Sequence, residues 1–96
     1  MPVIEVETFL GRQLAAARTL AGLTVRELAG LSTVNKATIA ELEGRELIEI
    51  TAKRRHGYVA RATWEKITGA LTASGVEVFH ETEGHGAGVR YIRRNP

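Results

Sequence analysis

The chain has 96 residues, room for one domain with a small core, and its 44% hydrophobic and 25% charged content is ordinary for a globular protein. It contains no cysteine, which excludes a disulfide frame and any Cys-based metal site. The net charge of +2 gives only a weak pull on phosphates, so the placement of the charges says more than their sum.

With five aromatic residues in all, the core is expected to be Leu, Ile, Val and Ala. No run approaches membrane-spanning length. The start MPVIEVETFL lacks a basic segment followed by a long apolar run, so a cytoplasmic protein is expected. Residues 1–7 read as a short extended lead, because Val3, Ile4 and Val6 favour strands. Thr8 can cap a first helix over 9–21, with Leu10, Leu14, Ala17 and Ala21 as a narrow apolar stripe and Gly22 as its stop.

The stretch 24–44, TVRELAGLSTVNKATIAELEG, reads as two short helices joined by a tight turn. Thr24 stands three residues before Glu27, the spacing of a capping box. Val25, Leu28 and Ala29 share a face. Asn35 suits the cap of the second helix, and Ile39 and Leu42 give that helix its apolar stripe. Lys36, Ala37, Ala40 and Glu41 fall largely on the opposite face, free to touch something else.

The segments L23-T-V-R-E-L-A29 and V34-N-K-A-T-I39-A-E-L-E-G44 together resemble the helix-turn-helix of the Xre family, the phage Cro and repressor type. The resemblance covers roughly a quarter of the chain, and nearly half with the preceding helix. It implies a mainly α fold: a four-helix core over 8–44 and 62–75, with a C-terminal β-hairpin. It implies a dimeric DNA-binding transcriptional regulator, either repressor or activator, that reads a palindromic duplex. It also implies an ion pair between Arg18 and Glu43. The family carries Gly where this chain has Thr33. A β-branched residue at positive φ costs ~1–2 kcal/mol, so a reshaped turn is expected. Val25 stands where the family often has a Gln that helps to hold DNA, and it cannot form that hydrogen bond.

On this reading Asn35, Lys36 and Ala37 enter the major groove. Lys36 can donate to guanine, Ala37 and Ala40 can touch a thymine methyl, and Glu41 can accept from cytosine. Thr24 and Arg26 face phosphate. Arg45, Lys53, Arg54, Arg55 and Arg61 crowd into one segment, and Arg90, Arg93 and Arg94 sit near the end; such clusters are the usual footprint of nucleic-acid binding. Segment 45–61 fits no long helix. It reads as a small β-hairpin, or wing, over 47–61 with a basic tip, or else as an irregular loop.

Thr63 can cap a helix over 64–74, with Trp64, Ile67, Ala70 and Leu71 on its inner face and Gly75 as its stop. After Gly75 the period changes from 3.6 to 2, and VEVFH and GVRYIR on either side of ETEGHGA read as a hairpin over 76–96. Two strands alone are marginal in water. A homodimer joined through Val76, Val78, Val89 and Tyr91 is therefore expected.

Enzyme chemistry finds little support: there is no Cys nucleophile and no catalytic pairing of carboxylates. His80, Glu81, Glu83 and His85 lie in a turn, which supplies the fixed geometry of a zinc site poorly, so no metal and no cofactor are expected. The GHGAG run precedes a strand and not a helix, which argues for a turn over a phosphate cradle. A second class of function is a protein-interaction antiactivator that keeps the fold without reading DNA. An antitoxin that represses its own operon would combine both.

Overall fold

A computed structural model describes residues 5–80 and 86–92. It shows an α-rich arrangement with short strands. The order is β1 (Glu7–Leu10), α1 (Gly11–Leu20), α2 (Val25–Ser32), α3 (Lys36–Glu43), β2 (Leu47–Thr51), β3 (Val59–Ala60), α4 (Arg61–Ala73), β4 (Val76–Phe79) and β5 (Gly88–Tyr91).

The first helix begins later than its pattern suggests. Thr8 does not cap it; Thr8 lies in β1, opposite Glu49 of β2. Leu10 takes the cap position with extended backbone. Its N–H donates to the side-chain oxygen of Gln13 at 3.2 Å, which supplies half of a capping box without a hydroxyl. Phe9 is consequently a strand residue. It is buried, and its ring packs on Trp64 with 4.9 Å between centroids.

Segment 45–61 is not a hairpin. β2 pairs antiparallel with β1, in the register Glu7↔Ile50 to Leu10↔Leu47. β3 then pairs parallel with β2 through Ile50↔Val59 and Thr51↔Ala60. The apolar residues of β2 found their partner far away in sequence, so residues 52–58 form an irregular loop. In that loop Tyr58 N–H donates to Arg55 O at 3.0 Å, and Thr51 Oγ1 donates to Lys53 O at 2.6 Å.

The last helix starts at Arg61, before Thr63, behind Ala60 at the cap position with no side-chain cap. Trp64, Ile67, Ala70 and Leu71 are all buried on its inner face. Gly75 ends the helix at φ +88°, a conformation that a residue with a Cβ adopts only at a cost.

β4 and β5 form an antiparallel pair with Val76↔Tyr91, Glu77↔Arg90, Val78↔Val89 and Phe79↔Gly88 opposite one another. Residues 81–85 of the expected turn at 81–87, residues 1–4 of the expected lead and the basic pair Arg93 and Arg94 lie outside the described residues. On the outer face Arg90 Nε pairs with Glu77 at 2.5 Å, and its guanidinium sits 4.6 Å from the centre of the Phe79 ring. On the inner face Val76 is fully buried, and Val78 and Val89 pack against the core.

Leu14, Leu28, Ile39, Leu42, Ile48, Ile50, Ile67, Leu71 and Val76 are the largest fully buried side chains. All four helices, β2 and the hairpin thus share one apolar cluster. Phe9 and Trp64 join it, so the core is not purely aliphatic. No helix among the described residues is long and apolar enough to cross a membrane.

Candidate functional site

α2 opens on the capping box that its sequence spells. Glu27 N–H donates to Thr24 Oγ1 at 3.1 Å, and Thr24 N–H donates to the Glu27 carboxylate at 2.9 Å. Those bonds stabilise the ionised form and hold the Glu27 carboxyl below its ordinary value of 4.5, the backbone bond contributing most.

The turn after α2 keeps left-handed geometry despite its β-branched residue. Thr33 has φ 58° and ψ 27°, so the expected reshaping does not occur. Two local bonds hold the turn. Thr33 Oγ1 donates to Ser32 O at 2.6 Å, and the buried Ser32 hydroxyl accepts the Val34 N–H at 3.3 Å. Asn35 then caps α3, its Oδ1 accepting the Ala37 N–H at 2.7 Å.

α3 turns Ile39 and Leu42 into the core. Lys36, Ala37, Thr38, Ala40 and Glu41 are exposed, as are Thr24 and Arg26 at the start of α2 and Asn35 between the helices. An ion pair fixes the other end of α3. Arg18 Nε and its terminal nitrogen bond both Glu43 oxygens, at 2.7 and 3.0 Å, and its second terminal nitrogen donates to Leu23 O at 2.9 Å. The two side chains are 20% and 11% exposed. The Glu43 hydrogen bonds push the Arg18 pKa up despite a smaller opposing effect of burial.

The basic segment divides in space. Arg61 turns to Glu7 at 3.4 Å, away from the loop. Arg45 Nε pairs with Glu41, one helical turn back, at 2.6 Å, and its terminal nitrogen donates to Gly57 O at 3.1 Å. That pair of contacts ties loop 52–58 to the end of α3. Lys53, Arg54, Arg55 and His56 are exposed on the loop, and among the described residues they form no ion pair.

Of the four residues expected to join two chains, Val76 is fully buried in this chain's own core, Val78 and Val89 are half-buried against it, and Tyr91, 64% exposed, lies on the surface. The hairpin packs on α1 and α4.

His80 stacks on Phe9 with 4.1 Å between ring centroids, and its Nε2 is 3.3 Å from Glu7. Glu81, Glu83 and His85 lie outside the described residues. Among the described residues no group of three or more His, Cys, Asp or Glu side chains is placed to hold a metal ion.

Two residues that position the site escaped the sequence reading. Gln13 is buried, and its amide nitrogen donates to Phe79 O and Gly88 O, both at 2.9 Å, clamping the hairpin to α1. Its place three residues after the cap is a usable signal only once the helix start is known. Gly11 lies where the start of α1 meets the end of α3, and its N–H points at Glu46 O at 3.4 Å. No local pattern marks that contact. No family model matches this chain, and neither does any curated protein or solved structure.

Proposed function

We propose that this chain is a sequence-specific, double-stranded-DNA-binding transcriptional regulator of the Xre helix-turn-helix type, acting as a cytoplasmic homodimer on a palindromic operator, with no catalytic role. The observation that carries the reading is the α2–α3 unit. Both helices are capped, the turn between them is tight, and Arg18–Glu43 anchors the far end of α3. Its outer face of Lys36, Ala37, Ala40 and Glu41 is left exposed.

Under this reading Asn35, Lys36 and Ala37 meet base edges, and Thr24 and Arg26 face phosphate. Lys53, Arg54 and Arg55 add sequence-independent attraction through counterion release. The dimer contact falls to the hairpin edge with Tyr91 and the half-buried Val78 and Val89, since Val76 is fully buried in this chain. Two recognition helices on a two-fold axis need half-sites about 10 base pairs, or a multiple of one turn, apart.

These roles separate in a binding assay. Neutralising Lys53, Arg54 and Arg55 weakens binding to every sequence and flattens the log–log salt dependence, by roughly one unit per lost contact. Lys36→Ala instead costs ~1–3 kcal/mol at one base position and relaxes preference there. If neither effect appears, the DNA reading fails.

One observation favours a second reading, a protein-binding antiactivator: an acidic side chain, Glu41, stands exposed in the middle of the small outer face of α3. The antiactivator predicts that neither variant alters DNA binding.

A further inference from the structure

Beside the outer face of α3 lies a groove of about 380 Å³, floored by α3 and α4 and edged by loop 52–58. α3 contributes Thr38 and Glu41, and Arg45 follows just after it; the loop contributes Arg54 and Tyr58; α4 contributes Thr63 and Lys66. Hydroxyls and cations dominate this lining. Small-molecule sites of roughly 300–1,000 Å³ are usually lined by apolar and aromatic side chains, so this one is built for a polar ligand.

The charges decide which polar ligand. Glu41 is the one acid lining the groove, and it is already paired with Arg45 at 2.6 Å. Arg54 and Lys66 make no ion pair among the described residues. Two cations are therefore uncompensated, with the hydroxyls of Thr38, Tyr58 and Thr63 around them as further donors. An oxyanion with several acceptor oxygens satisfies both sets at once.

We infer that the groove between α3 and α4 binds a phosphate group, with Lys66 and Arg54 as its charged ligands and Thr38, Tyr58 and Thr63 as hydrogen-bond donors. On the DNA-binding reading, on which this placement rests, the phosphate belongs to the duplex backbone. Thr38 and Glu41 flank the exposed Ala37 and Ala40, and a helix seated in a major groove about 12 Å wide stands beside the phosphates that border it. Lys66 thereby becomes a backbone contact supplied by α4, outside both the recognition helix and the basic loop. The same chemistry would accept the phosphate of a free small molecule. Arg45 is a positioning residue here: its bond to Gly57 O sets the loop, and with it Arg54, against α3.

The test joins two measurements on the full chain. Inorganic phosphate is titrated while the amide signals are followed by NMR, for wild type, Lys66→Gln and Lys66→Arg. The salt dependence of duplex binding is measured for the same proteins. Lys66 is exposed, so its replacement leaves the core intact. The expected result is saturable shifts at Thr38, Tyr58, Thr63 and Lys66, weakened at least threefold in Lys66→Gln and retained in Lys66→Arg. The log–log salt slope for DNA falls by roughly one unit in Lys66→Gln.

Saturable shifts in a protein that binds no DNA support the groove, with a free phosphorylated ligand as its source, and overturn the regulator reading. DNA binding with an unchanged slope in Lys66→Gln, together with shifts that are diffuse or indifferent to that substitution, overturns the groove and leaves the regulator reading standing.

Discussion

Two Gly→Ala substitutions, both in helices, are expected to move stability in opposite directions. At Gly11 a Cβ would lie 2.7 Å from Leu42 O, 2.9 Å from Glu43 O, and closer still to Arg45 O. Real Cβ atoms essentially never come within 3.0 Å of another heavy atom, and all three neighbours here are backbone. The start of α1 must therefore move off the end of α3. Such overpacking typically costs ~1–3 kcal/mol, and the helix-propensity gain of up to about 1 kcal/mol is only partly available in a first turn. At Gly69, inside α4, a Cβ meets nothing within 4 Å. Gly69→Ala gains about 0.5–1 kcal/mol by narrowing the unfolded ensemble. In a domain of this size 1 kcal/mol moves the melting temperature by roughly 4–8 °C. Circular dichroism melts should show Gly11→Ala falling by at least about 4 °C and Gly69→Ala rising by roughly 2–8 °C. Equal melting temperatures, or a rise for Gly11→Ala, would refute the close seating of α1 on the end of α3.

Arg18→Ala strands the shielded Glu43 carboxylate and Leu23 O. Breaking a buried pair costs ~3–5 kcal/mol, and the partial exposure of Arg18 puts the expected loss toward the low end. Arg18→Lys should fall between, because an ammonium cannot make the bidentate contact; a urea-unfolding free energy for Arg18→Ala within ~0.5 kcal/mol of wild type would rule out the anchor. Gln13→Ala leaves Phe79 O and Gly88 O without their donor, at a cost of ~1–3 kcal/mol, and hydrogen exchange at Val78 and Val89 should quicken relative to α4. Unchanged exchange there would show that the clamp is dispensable. The depressed Glu27 carboxyl stabilises the fold above its unfolded value, and that contribution is lost as pH falls through the folded value. An NMR titration of Glu27 should therefore show a midpoint below 4.5, and a midpoint at or above 4.5 contradicts the capping box as drawn.

The sequence was most informative where local rules act alone. Thr24 with Glu27, Asn35 before Ala37, the Ile39 and Leu42 stripe, the Trp64-to-Leu71 face and the two C-terminal strands are all written within a few residues of each other. Caps and periodicity are short-range physics. What stayed hidden depends on partners distant in the chain. β1 was masked because Thr8 looks like a cap, and only pairing with β2, some forty residues on, makes 7–10 a strand. The same partnership denied β2 a local hairpin. Val76, Val78 and Val89 alternate as a buried face should, but alternation says only that a face is covered, not by what. Within this chain the cover is α1 and α4. Thr33 accepts a left-handed backbone that propensity disfavours, because the turn geometry and the bonds of Ser32 and Thr33 outweigh ~1–2 kcal/mol of strain.

The central claim is that the exposed face of α3 reads DNA sequence, and competition binding tests it most directly. Purified protein is mixed, at one fixed salt concentration, with a labelled duplex from upstream of its own gene and with unlabelled competitors of the same length. The account predicts that the upstream duplex competes at least tenfold better than scrambled DNA, and that Lys36→Ala erodes this preference while leaving the affinity for scrambled DNA unchanged. Equal competition by both duplexes, at low salt as well as high, would contradict it.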